Sequence, residues 1–80
     1  MAITYHVVIA FARDEEGHLV PLEPAEASNA ETARRRAQAA AAKHAGALAF
    51  SRSGDPNTGD FDEAKLTASF GDVDLTLLGE

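Results

Sequence analysis

The chain has 80 residues, no cysteine, and 13 acidic against 7 basic side chains, for a formal charge of −6. That length predicts one domain burying only ~60–65% of its unfolded surface, with neither disulfides nor a Cys/His cluster to reinforce it. The acidity argues against sequence-independent DNA binding, and no stretch approaches a membrane span. The absence of cysteine is compatible with a reducing cytoplasm, the expected location. The charge is uneven: residues 1–28 carry one Arg against five acids, residues 29–46 four bases against one acid, and residues 47–80 two bases against seven acids.

Residues 3–13 alternate. Ile3, Tyr5, Val7, Ile9 and Phe11 share one face, and Thr4, His6, Val8, Ala10 and Ala12 share the other. Period two over this length predicts a strand, and no positive region precedes it as in a signal peptide. The bulky odd face is expected to be the core face, with the small, mixed even face toward water. Residues 14–17, Asp-Glu-Glu-Gly, read as a turn. Leu19, Val20 and Leu22 suggest a short second strand. Pro21 and Pro24 cannot donate ladder hydrogen bonds, which places it at an edge. Residues 23–27 are expected to link it to a helix.

That helix is the clearest element, from Ser28 to Gly46. Ser28 and Glu31 have capping-box spacing, Gly46 suits a left-handed C-cap, and alanine is the best helix former. Ala30, Ala33, Ala37, Ala40, Ala41 and His44 fall on one stripe, with Glu31, Arg35, Arg36, Gln38 and Lys43 around the other side. A methyl-only stripe lets the helix axis approach the layer it covers, and that layer must supply the large side chains.

Residues 47–53 read as a further strand, residues 53–60 as a polar loop, and residues 64–70 as a half-buried strand completing a hairpin. An even loop would turn Leu48 and Phe50 toward solvent. An odd loop or a bulge would pair Phe50 with Ala64 and place both inside, and this second register is expected because a one-residue slip flips every side chain. Residues 72–80 fit either a strand or a capped helical turn, and are apolar enough to pack on this chain or on a partner.

The loop at residues 51–63 is rich in oxygen ligands. A helix-loop-helix calcium site needs Gly sixth and Glu twelfth, and counting from Asp55 those places hold Asp60 and Leu66. Gly54 and Gly59 lack the Lys-Ser/Thr of a phosphate loop, since Asp60-Phe61 follows. Arg52 in a small-residue turn could present its charge to an anion, or pair with Asp55 or Asp60. Arg34, Arg35 and Arg36 point in three directions around the helix. In a hairpin closed by residues 14–17, Arg13 faces His18 and His6 lies far along the strand, so His6 and His18 cannot share a metal there, and His44 is expected at a cap or in the core. No group of residues suggests a reaction, so neither an enzyme nor a cofactor is expected. The candidate interaction surface is Arg35, Arg36, Lys43, Arg52 and Asp55.

The stretch at residues 45–56, Ala-Gly-Ala-Leu-Ala-Phe-Ser-Arg-Ser-Gly-Asp-Pro, following an Arg/Ala-rich helix, is similar to that of short uncharacterised bacterial proteins of unknown function. That resemblance implies no activity. The order strand, Asp-Glu-Glu-Gly turn, strand, helix also resembles HicB-like antitoxin domains. Those have a Gly-Cys turn before the helix where this chain has Pro21 to Pro24, so no functional residue carries over.

The expected fold is α+β: an antiparallel sheet of three or four strands with one Ala-rich helix on one face, in the order β-(β)-α-β-β with a short C-terminal element. The expected core is Ile3, Tyr5, Val7, Ile9, Phe11, Ala33, Ala37, Ala40, Leu48, Phe50, Leu66 and Phe70. One helix about 10 Å wide cannot cover such a sheet. The leading functional expectation is therefore a non-enzymatic interaction module, a homo-oligomer or a binder of another protein. Alternatives are a nucleic-acid- or toxin-binding regulator using the basic helix face, although nucleic acid is disfavoured by the charge, and an anion or cation binder at residues 51–63.

Overall fold

The long alternating segment becomes the centre of the sheet. In the computed structural model, which describes residues 2–75, strand β1 (Ile3–Arg13) is flanked on both sides. On one side β2 (Leu19–Pro21) and β3 (Ala25–Ala27) occupy successive parts of the same edge. On the other side lies β4 (Gly46–Asp55), followed outward by β5 (Asp60–Phe61) and β6 (Lys65–Gly71). Helix α1 (Ala30–Lys43) connects β3 to β4 and packs on one face. The α+β architecture is as expected, with four strand positions.

Several local expectations hold, each for its physical reason. Gly17 closes the first turn at φ 84°, and the Asp14 carboxylate accepts from the amides of Glu16 and His18. Pro21 ends β2 opposite Phe11, at the edge. Residues 25–27 are a strand, not a linker. After Pro24 the chain re-enters the ladder beside His6–Val8, where β1 still has backbone groups to satisfy.

The helix ends differ from expectation. Asn29 is the N-cap, its side chain accepting from the Thr32 amide at 2.8 Å, which leaves Glu31 in the first turn and free to pair with arginines. The helix stops at His44 in extended conformation, so Gly46 is no left-handed cap. His44 is exposed, not part of the core. Gly46 opens β4 where a Cβ would collide with the Asp72 backbone.

The main correction concerns which face the helix covers. Ala33 and Ala37 pack on the even face, against Val8, Ala47 and Ala49, with Ala10, Ala27, Ala40, Ala41, Ala68 and Phe70 around them. Small residues on both layers let the helix lie close. The odd face is the opposite surface. There Ile9, Phe11 and Leu48 form a second buried cluster, joined by Val7, Leu19, Phe50 and Val73. Of the expected core, Ile3 (42%) and Leu66 (43%) are exposed. Tyr5, Val7 and Phe50 are half-buried, and Phe70 is half-buried beneath the helix.

Backbone chirality accounts for the choice of face. The Phe11 carbonyl accepts from the Ala45 amide beside β4, and the Ala10 carbonyl accepts from the Leu22 amide on the β2/β3 side. An L-residue whose side chain points at a viewer, on a strand running upward, directs its N–H and C=O to the right. Seen from the odd face, β4 is therefore to the right of β1 and β3 to the left. Both are antiparallel to β1 and hence parallel to each other. A crossover from β3 to β4 is right-handed only if its helix lies on the even face, and right-handed crossovers are strongly favoured.

The second hairpin uses the bulge. Register shifts between Ala49 and Phe50, so Phe50 stands opposite Leu66 rather than Ala64, and Leu48 opposite Ser69. Leu48 and Phe50 then share the odd face with Ile9 and Val7, while Ala47 and Ala49 point to the helix. The expected polar loop is shorter than residues 53–60, because β4 runs to Asp55 and pairs with Asp60. Of the ambiguous C-terminal segment, residues 72–75 continue past β6 with Val73 on the odd-face cluster. Leu77 and Leu78, expected to pack, lie outside the described residues.

Candidate interaction face

Among the described residues, the sheet face opposite the helix has no full layer over it. At one end of that odd face, Leu19 and Val73 pack on Ile9, Phe11 and Leu48. The Arg13 guanidinium donates to the Asp72 carboxylate at 2.7 Å and ties the C-terminal segment there. At the other end the face is open among the described residues. Antiparallel register aligns Tyr5 with Arg52, Val7 with Phe50, and Ile3 with Gly54. Phe61 pairs with Gly54 and Leu66 with Phe50. Gly54 carries no side chain, and the Phe61 ring occupies the space where its Cβ would be. Ile3, Phe61 (37% exposed) and Leu66 are each large, apolar and exposed.

Arg52 organises this end. Its Nε donates to the Asp62 carbonyl at 2.9 Å, and its guanidinium carbon lies 5.3 Å from the centre of the Phe61 ring. Tyr5 stands 6.1 Å from the same ring, with planes inclined by 38°. No ion pair joins Arg52 to a carboxylate among the described residues. Arg52 is therefore held by a backbone carbonyl and a ring, not by Asp55 or Asp60. Asp55 caps the hairpin tip, its side chain accepting from the Asn57 amide and its carbonyl from the amides of Thr58 and Gly59.

No family model, no curated protein and no solved structure matches this chain.

The five candidate residues do not form one surface. Arg35, Arg36 and Lys43 project from the helix on the even side, whereas Arg52 is on the odd face and Asp55 at the hairpin tip. Glu31 is shared by Arg34 at 2.5 Å and Arg35 at 3.3 Å. Hydrogen bonds from Arg34 and then Arg35 hold the Glu31 carboxyl below its ordinary range, and Glu31 raises the Arg34 guanidinium in turn. Arg36 donates to the Glu26 carbonyl at 3.0 Å. The basic helix face is thus partly satisfied within the chain.

Sequence reasoning missed Glu26. It pairs with Val7 and so lies on the odd face, two strand positions from Arg52. The signal was the Ala25-Glu26-Ala27 alternation after Pro24. Among the described residues, no group of three His, Cys, Asp or Glu side chains is placed to hold a metal ion. No helix among them is long and apolar enough to cross a membrane.

Proposed function

We propose that this chain is a small, non-enzymatic interaction module that binds another polypeptide through the open end of its odd sheet face. The observation that carries this reading is the row Ile3, Tyr5, Val7, Phe50, Phe61 and Leu66, aligned by register and without a covering layer among the described residues. Contiguous exposed apolar surface marks interaction sites, and aromatic residues with arginine are the side chains that most often dominate binding energy.

A photo-cross-linking residue in place of Leu66, compared with one in place of Arg35, tests this in the cell of origin. The face reading requires a defined polypeptide adduct from position 66 and none from position 35. Adducts from position 35 alone would move the function to the basic helix surface, as for a nucleic-acid- or toxin-binding regulator. Adducts from neither would leave the apolar face without a partner and overturn the reading.

A further inference from the structure

Arg52 and Glu26 lie on this open face, and neither has an opposite-charge partner among the described residues. Arg52 sits on β4, level with Tyr5 of β1, and Glu26 sits on β3, level with Val7 of β1. They flank β1 on opposite sides. With strands about 4.8 Å apart and about 3.4 Å per residue, their backbones are roughly 12 Å apart. The side chains of Tyr5 and Val7 stand between them on the same face, and no hydrogen bond or ion pair joins them among the described residues.

We propose that the polypeptide bound by this face is a second copy of the chain, stacked face to face so that Arg52 of each copy meets the partner's Glu26. This rests on the interaction-face reading above and names its partner. The charge pattern sets the symmetry. A two-fold axis running along β1, midway between stacked sheets about 10 Å apart, places whatever lies to one side of β1 over whatever lies to the other side in the partner. Arg52 of β4 then lies over the partner's β3, which carries Glu26. The remaining offset is two residues, about 7 Å, within the reach of an extended arginine.

The chemistry is consistent with this placement. Nε of Arg52 is already committed to the Asp62 carbonyl, and the Phe61 ring restrains the guanidinium plane. The two terminal nitrogens remain to grip a carboxylate. The Glu26 carbonyl is held by Arg36, which fixes the edge strand, and its carboxylate has no partner among the described residues. The stack also brings Tyr5 and Val7 over their counterparts near the axis, and the two-fold makes the Arg52–Glu26 contact twice.

Sedimentation velocity on the full chain and on two charge reversals tests the proposal. The wild type is expected to sediment as a dimer. Arg52→Glu alone and Glu26→Arg alone each set like charges against each other, and each should weaken self-association at least about tenfold. An equimolar mixture of the two variants should restore the dimer, because every contact in the mixed pair is again attractive. Circular dichroism checks that each variant folds, and Glu26→Arg, on an exposed edge, serves if Arg52→Glu does not. A wild type that stays monomeric up to about 1 mM would overturn the second copy as partner while leaving cross-links from position 66 to a different protein intact. A dimer indifferent to both reversals, or one not restored by mixing, would overturn this geometry.

Discussion

Gly46 and Gly71 stand opposite each other across β4 and β6, and neither site has room for a side chain. A Cβ on Gly46 would collide with the Asp72 backbone, and one on Gly71 would lie 2.5 Å from the Ala45 carbonyl oxygen. Gly71 also has φ 70°, where L-residues pay about 1–2 kcal/mol. The pair lets the C-terminal segment cross β4 closely enough for the Asp72 amide to donate to the Ala45 carbonyl.

Gly71→Ala is expected to cost more than about 2 kcal/mol in urea denaturation, because backbone strain and overlap add. Gly17→Ala is the control. It has φ 84° but no atom within 4 Å of its Cβ, so only the backbone cost of about 1–2 kcal/mol applies. Equal losses at the two sites would show that the close approach at Gly71 does not hold.

Asn29→Ala should destabilise by about 1 kcal/mol, and Ser28→Ala by much less, because only Asn29 accepts from a helix amide. Thermal melts of the two variants decide this directly. A larger loss at Ser28 would restore the capping box expected from the sequence.

The close approach of the helix makes its methyl stripe intolerant of size. Ala33 and Ala37 are fully buried against Val8, Ala47 and Ala49. Ala37→Leu should cost roughly 1–3 kcal/mol through overpacking, whereas Ala39→Leu, at an exposed position, should stay within about 0.5 kcal/mol. If Ala37→Leu were neutral, the helix would not lie on the small face.

Glu31 gives the fold a pH dependence of defined sign. Its folded pKa lies below the ordinary value, so its contribution is present above that value and is lost as pH falls through the folded one. Glu31→Gln should lower the Tm at neutral pH and leave it unchanged at a pH well below the carboxylate range. Because the ion pairs are exposed, added salt should shrink the neutral-pH difference. A difference that persisted in acid would assign the effect to something other than the carboxylate charge.

The Nδ1 atom of His6 is buried on the helix-side face without a hydrogen-bond partner among the described residues. An unsatisfied buried polar atom costs about 1–3 kcal/mol, so His6→Leu should leave stability equal or raise it by up to about 1 kcal/mol. A clear loss in chemical denaturation would mean that the ring nitrogen is satisfied.

Much of this was legible locally. The alternation of β1, the Asp14–Gly17 turn, the alanine helix and the proline-limited edge all follow from chain chemistry within a few residues. Arg52 stood out as a candidate because a small-residue segment presents it. Glu26 did not, because a three-residue strand beside two prolines leaves little period to read. Its position on the odd face depends on pairing with Val7, a residue 19 positions earlier in the chain.

By itself, the sequence determined two unlike faces on β1, one bulky and one small, and a helix with only methyl groups to bury. It did not determine which face the helix would take, since either could meet a methyl stripe. Tertiary structure decided that through backbone hydrogen bonding. Phe11 bonds toward β4 and Ala10 toward β2, so a right-handed crossover from β3 to β4 can lie only on the even side. The bulky face, with Arg52 and Glu26 on it, was thereby left without the helix.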